Sequence, residues 1–192
     1  MRQLTQQELY DILYGCTILG TGGGGSLEAG LELIDKALAD GKHFRLASLD
    51  EVPDEDLIIT PYYCGAISPE TDEIRQHYGH LKEMEGHPVV KAVQVIEKYL
   101  SKSISGVIST ELGGGNTAAA FYAGACLNKY IVDADPAGRS VPELQQSLYF
   151  INDLAMAPIS VVNMFGESAI ITEVVDDFRA EALVRSLAVV SK

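Results

Sequence analysis

Two spacings of apolar residues divide the sequence. Some stretches repeat every three or four residues, as an amphipathic helix requires, and others are short runs rich in β-branched and aromatic residues, as strands are. At the start, "LTQQEL" offers Thr5 as an N-cap, Glu8 to complete a capping box, and Leu4 with Leu9 as a hydrophobic staple. These predict a helix from residue 6 to residue 19, ending at a run of glycines. Ser26 then caps a second helix, "SLEAGLELIDKALAD", with Leu27, Leu31, Ile34 and Leu38 on one face and Gly41 as its stop. "FRLASL" and "DLIITPYYCG" follow as strands on either side of the acidic, proline-bearing "DEVPDED".

Residues 69–88 are polar and predict no definite element. Beyond them "VVKAVQVIEKYLSK" has helical period, with lysines near the end that the helix dipole favours. "ISGVISTEL" reads as a strand ending at Glu111 or Leu112, "NTAAAFYAGACLN" as an alanine-rich helix capped by Asn116, and "KYIVDAD" as another strand. Together they form a βαβ unit, which implies parallel neighbours joined by a right-handed crossover. After Pro142, "ELQQSLYFINDLA" is expected to be helical, with Ser140 or Glu143 starting it. "ISVVNMF" and "SAIITEVV" form two strands around a turn at Phe165, Gly166 and Glu167, and "DDFRAEALVRSLAVVSK" closes the chain as a helix. The order predicts an α/β fold: a layered, mostly parallel sheet with an antiparallel C-terminal pair and helices packed on the sheet.

Composition narrows function more than fold. A chain of 192 residues, 47% hydrophobic and 21% charged, is long enough to bury its own core as one domain. No apolar run reaches the roughly 18 residues that a membrane helix needs, and "MRQLTQQELY" lacks the basic-then-apolar layout of a secretory signal. No membrane partner and a cytoplasmic location are expected. A net charge of -13 repels phosphate backbones, so nucleic acid is excluded and a small-molecule substrate expected. Cys16, Cys64 and Cys126 show no CxxC spacing and read as reduced thiols. His77, His80 and His87 match no zinc spacing.

Three blocks carry candidate chemistry. In "GCTILGTGGGGSLEAG", Gly20, Gly22, Gly23, Gly24 and Gly25 outnumber the glycines a plain helix–helix turn needs. With Thr21 and Ser26 they offer backbone amides at a helix start, where anions are held. Neither GxGxxG after a strand nor a Walker pattern is present, so no nucleotide cofactor is expected. In "STELGGGNTAAA", Gly113, Gly114, Gly115 and Asn116 follow the end of a strand, where open α/β sheets bind ligands and helix-start amides suit an oxyanion. In "VDADPAGRSVPE", strand alternation puts Asp133 and Asp135 on one side, able to face a ligand or a divalent metal, and Arg139 supplies a cation for a carboxylate. Glu111 joins the two aspartates as a candidate catalytic carboxylate. Tyr62, Tyr63 and Cys64 follow a strand and can line the same cleft.

With "GCTILGTGGGG", "ELGGGN" and "DADPAGRSVPEL" all in view, the chain resembles the N-terminal domain of the S-methyl thiohydantoin desulfurase-like family, which is described beside hydantoinase and oxoprolinase enzymes. The resemblance covers nearly the whole chain. It implies that residues 1–192 correspond to one domain of a longer protein whose C-terminal domain is absent here. It also implies hydrolysis of a small cyclic ureide or thioureide, hydantoin-like or thiohydantoin-like, by water attacking the ring carbon between two nitrogens. On that chemistry the glycine-loop amides stabilise the anion, Asp133 or Asp135 activates water directly or through a metal, and Arg139 grips a substrate carboxylate. A noncatalytic domain binding a small anionic metabolite and a subunit dependent on a partner domain are the competing expectations. Assembly as a homo-oligomer, or with a second domain or subunit, is expected.

Overall fold

The structure, a computed structural model, describes residues 1–65 and 78–191. Its elements run β1 (Arg2–Gln3), α1 (Gln6–Leu19), α2 (Leu27–Ala39), β2 (Arg45–Ala47), β3 (Ile58–Ile59), α3 (Pro88–Leu100), β4 (Gly106–Ile108), α4 (Gly114–Cys126) and β5 (Tyr130–Val132). There follow α5 (Leu148–Ile151), β6 (Ile159–Val162), β7 (Ser168–Ile171) and α6 (Asp177–Val190). His77 and residues 69–77 of the polar stretch lie outside the described residues.

Five strands form one sheet in the order β1-β2-β5-β4-β3, and β6 pairs with β7 as a separate antiparallel hairpin. From β2 to β3 every pairing is parallel, and only β1 runs the other way. Register brings Leu46, Ile131, Val107 and Ile59 side by side across the sheet. All four face the main core, against α1 to α4. Alternation sends Ala47, Val132 and Ile108 to the opposite face, where they form a smaller cluster with Tyr130. Gly106 has no side chain to obstruct the Tyr130 ring, which crosses it so that the phenol donates to Asp56 at 2.6 Å.

The first helix starts as its residues dictate: the Thr5–Glu8 capping box is formed, and Leu4 and Leu9 are both buried. Helix α4 differs from the other helices in being buried on all sides from Gly114 to Ala125. Its alanines and glycines let α2 approach closely. A Cβ on Gly30 of α2 would overlap the carbonyl oxygen of Gly114, and one on Gly114 would lie 2.5 Å from the Cα of Leu27. Small residues here exchange side-chain packing for close backbone contact.

The structure corrects several sequence-based boundaries. Strand β4 ends at Ile108, short of Glu111, because the chain turns where Ser109 Oγ donates to the Glu111 carbonyl oxygen at 2.8 Å. Helix α4 starts two residues before Asn116, with Gly113 as its N-cap, so Asn116 occupies the first turn and its side chain serves another purpose. The helix expected after Pro142 shrinks to the single turn α5, and neither Ser140 nor Glu143 starts it. Tertiary partners claim that segment: the Leu144 amide donates to Glu181 on α6, and the Leu148 amide donates to the Pro136 carbonyl. Strand β1 has only two residues, too few for any periodicity, and exists because Arg2 pairs with Leu46 and Gln3 with Arg45.

Two substitutions separate helix propensity from packing. Gly15 lies within α1 with nothing near its missing Cβ, so Gly15→Ala should stabilise the fold by about 0.5–1 kcal/mol. Gly30→Ala makes the same chemical change in α2 but forces the α2–α4 backbones apart, and should cost about 1–3 kcal/mol. Urea midpoints for the two variants should therefore move in opposite directions.

Candidate functional site

All four parallel strands end at the same edge of the sheet, so the loops after β3, β4 and β5 emerge together. This is the edge at which open α/β sheets receive ligands. The three candidate blocks meet there. Gly24 lies against Gly113, where a Cβ on Gly24 would come 2.5 Å from the Gly113 Cα, and Gly25 lies against Gly115. The Gly24 carbonyl accepts from the amides of Gly115 and Asn116, both at 2.9 Å. The third block closes on the other two: Ser140 fills the space beside Gly23, the Leu112 amide donates to the Arg139 carbonyl, and Arg139 donates to Thr21 Oγ1 at 3.3 Å.

Glu111 ties these segments together from inside. Its residue is only 5% exposed, and its two oxygens take different partners. Oε1 accepts from Asn116 Nδ2 at 2.7 Å and Oε2 from the Val141 amide at 2.6 Å. Asn116 Oδ1 in turn accepts from the Tyr63 amide at 2.9 Å, extending the network to the loop after β3. Around the same turn the Gly113 amide donates to Thr117 Oγ1 at 3.2 Å. A buried carboxylate is tolerable only with such partners, and charge-assisted bonds to it are among the stronger local constraints.

The two glycine turns differ in what they leave open. In the second, the helix-start amides of Gly115 and Asn116 are spent on Gly24. In the first, Gly22 and Gly25 are exposed, have positive φ, and their amides have no protein hydrogen-bond partner among the described residues. Thr21, Ser26 and Arg139 are exposed beside or along this turn, and Ser26 Oγ accepts from the Ala29 amide as the N-cap of α2. Unbonded backbone N–H groups and an exposed guanidinium thus come together at the Thr21–Gly25 turn and Arg139.

The aspartates are placed differently from a strand pair. Strand β5 ends at Val132; the Asp133 amide still donates to the Ala47 carbonyl at 2.8 Å, and the Ala134 amide turns back to the Val132 carbonyl. Asp133 is exposed, whereas Asp135 Oδ1 accepts the amides of Ala137 and Gly138. Both charges reach Cys16 on α1, whose thiol is pushed up mainly by burial and further by Asp135 and Asp133. Among the described residues, no three His, Cys, Asp or Glu side chains cluster as a metal centre would. Asp135 Oδ1 is engaged by its own turn, which leaves its other oxygen and the exposed Asp133 carboxylate without a protein partner among the described residues.

Beside this edge lies a cavity of about 850 Å³. Tyr62, Tyr63, Cys64 and Thr110 line it, next to the Asn116–Glu111 network. Burial pushes the Cys64 thiol up, countered in part by the nearby Arg185 charge, so its thiolate is scarce at neutral pH. Burial likewise raises both phenols, which stay neutral. Tyr63 also bonds His87 Nε2 at 3.1 Å, while His87 Nδ1 is buried without a partner among the described residues.

Fold and loop geometry together define an α/β domain in which three loops meet at one edge of the sheet. The family described as S-Me-THD-like, N-terminal domain, matches residues 7–173, and the chain belongs to that family. A comparison with curated proteins finds no match. The fold is shared with a crystal structure of a protein from Chromobacterium violaceum determined by a structural genomics consortium, at 22% identity and a TM-score of 0.76. The match covers 98% of this chain and 51% of that one, so the chain spans about half the length of the solved structure. No helix among the described residues is long and apolar enough to cross a membrane.

Sequence reasoning marks Glu111 as a candidate catalytic carboxylate, without the bonds that enclose it. Its partner Val141, the Ser109–Thr117 hydroxyl pair and the Tyr63 amide were not foreseen. The available signal was the polar group Ser109, Glu111, Asn116 and Thr117 inside an otherwise apolar strand–turn–helix segment, since buried polar atoms must find partners.

Glu111→Gln tests the tie. Both carboxylate oxygens face donors, and Asn116 is held by the Tyr63 amide and cannot turn to compensate, so one new N–H must meet another. The expected loss is about 1–3 kcal/mol, read as a fall in urea midpoint. His87 gives a pH test, because burial, helped by the Lys36 charge, lowers its pKa below the usual histidine value. The unfolded chain takes up a proton near pH ~6.5 that the folded one resists, so stability should fall as pH drops through that value and level off below the folded pKa. His87→Gln should flatten the urea midpoint between those two pKa values, and an unchanged slope would place the acid loss elsewhere.

Proposed function

We propose that the chain carries both the substrate site and the water-activating base of a hydrolase-type enzyme acting on a small cyclic ureide or thioureide. One observation carries this reading: three segments distant in sequence meet at the carboxyl edge of the sheet, tied by the buried Glu111. Membership of the S-Me-THD-like family supports the ring chemistry. Hydrolysis at the carbon between two ring nitrogens needs a base for water and stabilisation of a tetrahedral anion. Asp133, exposed at the end of β5, and the free oxygen of Asp135 are the candidate bases. The Thr21–Gly25 turn and Arg139 supply the positive edge for the anion. Glu111 positions the loops and does not itself meet the substrate, since its side chain is enclosed and both oxygens are bonded.

A second reading is favoured by the length of the solved relative, half of which lies beyond the match. In it this domain binds the ring and a partner domain or subunit completes catalysis. The tests separate the two. With hydantoin and S-methyl thiohydantoin as substrates, Asp133→Asn and Asp135→Asn should together lower turnover by about 10²–10⁴-fold, the usual contribution of a general base. Asparagine at position 135 can keep the turn's acceptor, so the urea midpoint should hardly move. Calorimetric binding without product from this chain supports the second reading. Undiminished turnover in the double variant refutes the assigned bases.

A further inference from the structure

The cavity beside the site is far larger than a five-membered ring. It runs the length of α3, which contributes lining residues from Pro88 to Leu100, a span of about 18 Å at 1.5 Å per residue. The rest of the wall is made by β3, the last strand in the sheet order, by β6 of the hairpin and by Val184 and Ala188 of α6. The hairpin is fixed to α3 by Ser160 Oγ, which donates to the Ala92 carbonyl at 2.8 Å. The cavity is therefore a slot between the main sheet and the hairpin.

Its chemistry is graded along its length. At the carboxyl end of β3 and β4 the lining includes Thr60, Tyr63, Cys64 and Thr110, beside the Asn116–Glu111 network. Toward the other end it passes Val93 and Ile96 to Leu57 and Leu100. No Asp, Glu, Lys, Arg or His side chain is among the described residues that line it. The titratable groups that do, including Tyr62, Tyr63, Tyr149 and Cys64, are all shifted by burial toward their neutral forms. Arg185, whose charge reaches Cys64 at one end, is paired with Glu181 and is not in the lining. Among the described residues a charged ligand therefore finds no lining counter-ion for the hydration it loses, a cost an uncharged one avoids.

We infer that the slot selects an uncharged ligand with a long apolar substituent, its tail along α3 toward Leu100 and its polar head emerging past Thr110 and Tyr63 at the sheet edge where the loops of the candidate site meet. If the proposed ring chemistry holds, the substrate class is a neutral cyclic ureide carrying an extended apolar group, and anionic side chains are disfavoured. Only the identity of the head depends on that reading; the slot's preference for an apolar tail does not.

The experiment is calorimetric titration of the 192-residue chain with hydantoin, 5-octylhydantoin, a 5-alkylhydantoin of equal length ending in a carboxylate, and 1-octanol. Affinity should rise about three- to fourfold per methylene from hydantoin toward the octyl compound, and the carboxylate-ended ligand should bind at least tenfold more weakly than the octyl one. Ala92→Phe and Ala188→Phe each place a ring on the slot wall from a half-buried alanine, and should abolish the gain from the tail while leaving hydantoin binding unchanged. Using two walls guards against misfolding of either variant, checked by circular dichroism. Equal affinity for short and long ligands, tail binding unaffected by both fillings in folded protein, or equal binding of the charged ligand would overturn the inference. Those results would leave the ring hydrolysis to stand or fall on turnover. Binding of 1-octanol as tight as that of 5-octylhydantoin, lost on filling, upholds the slot and removes the ring as its head group.

Discussion

Backbone meets backbone at one point in this fold, and the candidate site depends on it. The turn between α1 and α2 rests on the start of α4 with no side chain between them, Gly24 against Gly113 and Gly25 against Gly115. A single carbonyl, that of Gly24, accepts two amides of the helix start. Such an approach requires glycine on both sides, because a Cβ on either chain would occupy the other's backbone. The glycines that read as an open amide cradle are thus partly consumed in bringing two helix starts together. The exposed part of the first turn, around Gly22 and Gly25, keeps backbone N–H groups without a protein partner among the described residues.

Glu111 completes what the glycine contact begins. Backbone contact fixes the distance between the first two blocks but not the path of the third, which reaches the site from the end of β5. The buried carboxylate holds that path through the Val141 amide and, through Asn116, also fixes the loop after β3. A charge so enclosed costs free energy unless every strong acceptor position finds a donor, and the same requirement makes its geometry narrow. Glu111 therefore ties the loops from inside, while Asp133 and Arg139 stay exposed at the same edge.

The sheet and the hairpin give the molecule two unequal apolar regions. Four helices bury one face of the sheet as a tight core with α4 at its centre. The hairpin and α6 stand off the β3 edge and leave the long slot open. Backbone proximity at the glycine contact and open volume at the slot lie on either side of the loop after β4.

Local chemistry was enough for much of this. The Thr5–Glu8 capping box, the heptad-like faces of α2 and α3, the βαβ order and the hairpin are all set by neighbours a few residues apart, and they appear where the residues put them. The residues that carry the family resemblance are also visible without coordinates, because glycine and acidic blocks are local signals. Tertiary structure decided the rest. It replaced an expected helix after Pro142 with a tethered loop, moved the start of α4 ahead of Asn116, and spent the amides of Gly115 and Asn116 on Gly24. In each case a partner dozens of residues away competed for a backbone group that local propensity had counted as free. Sequence specifies which polar groups a segment carries; only the fold determines which of them are already bonded.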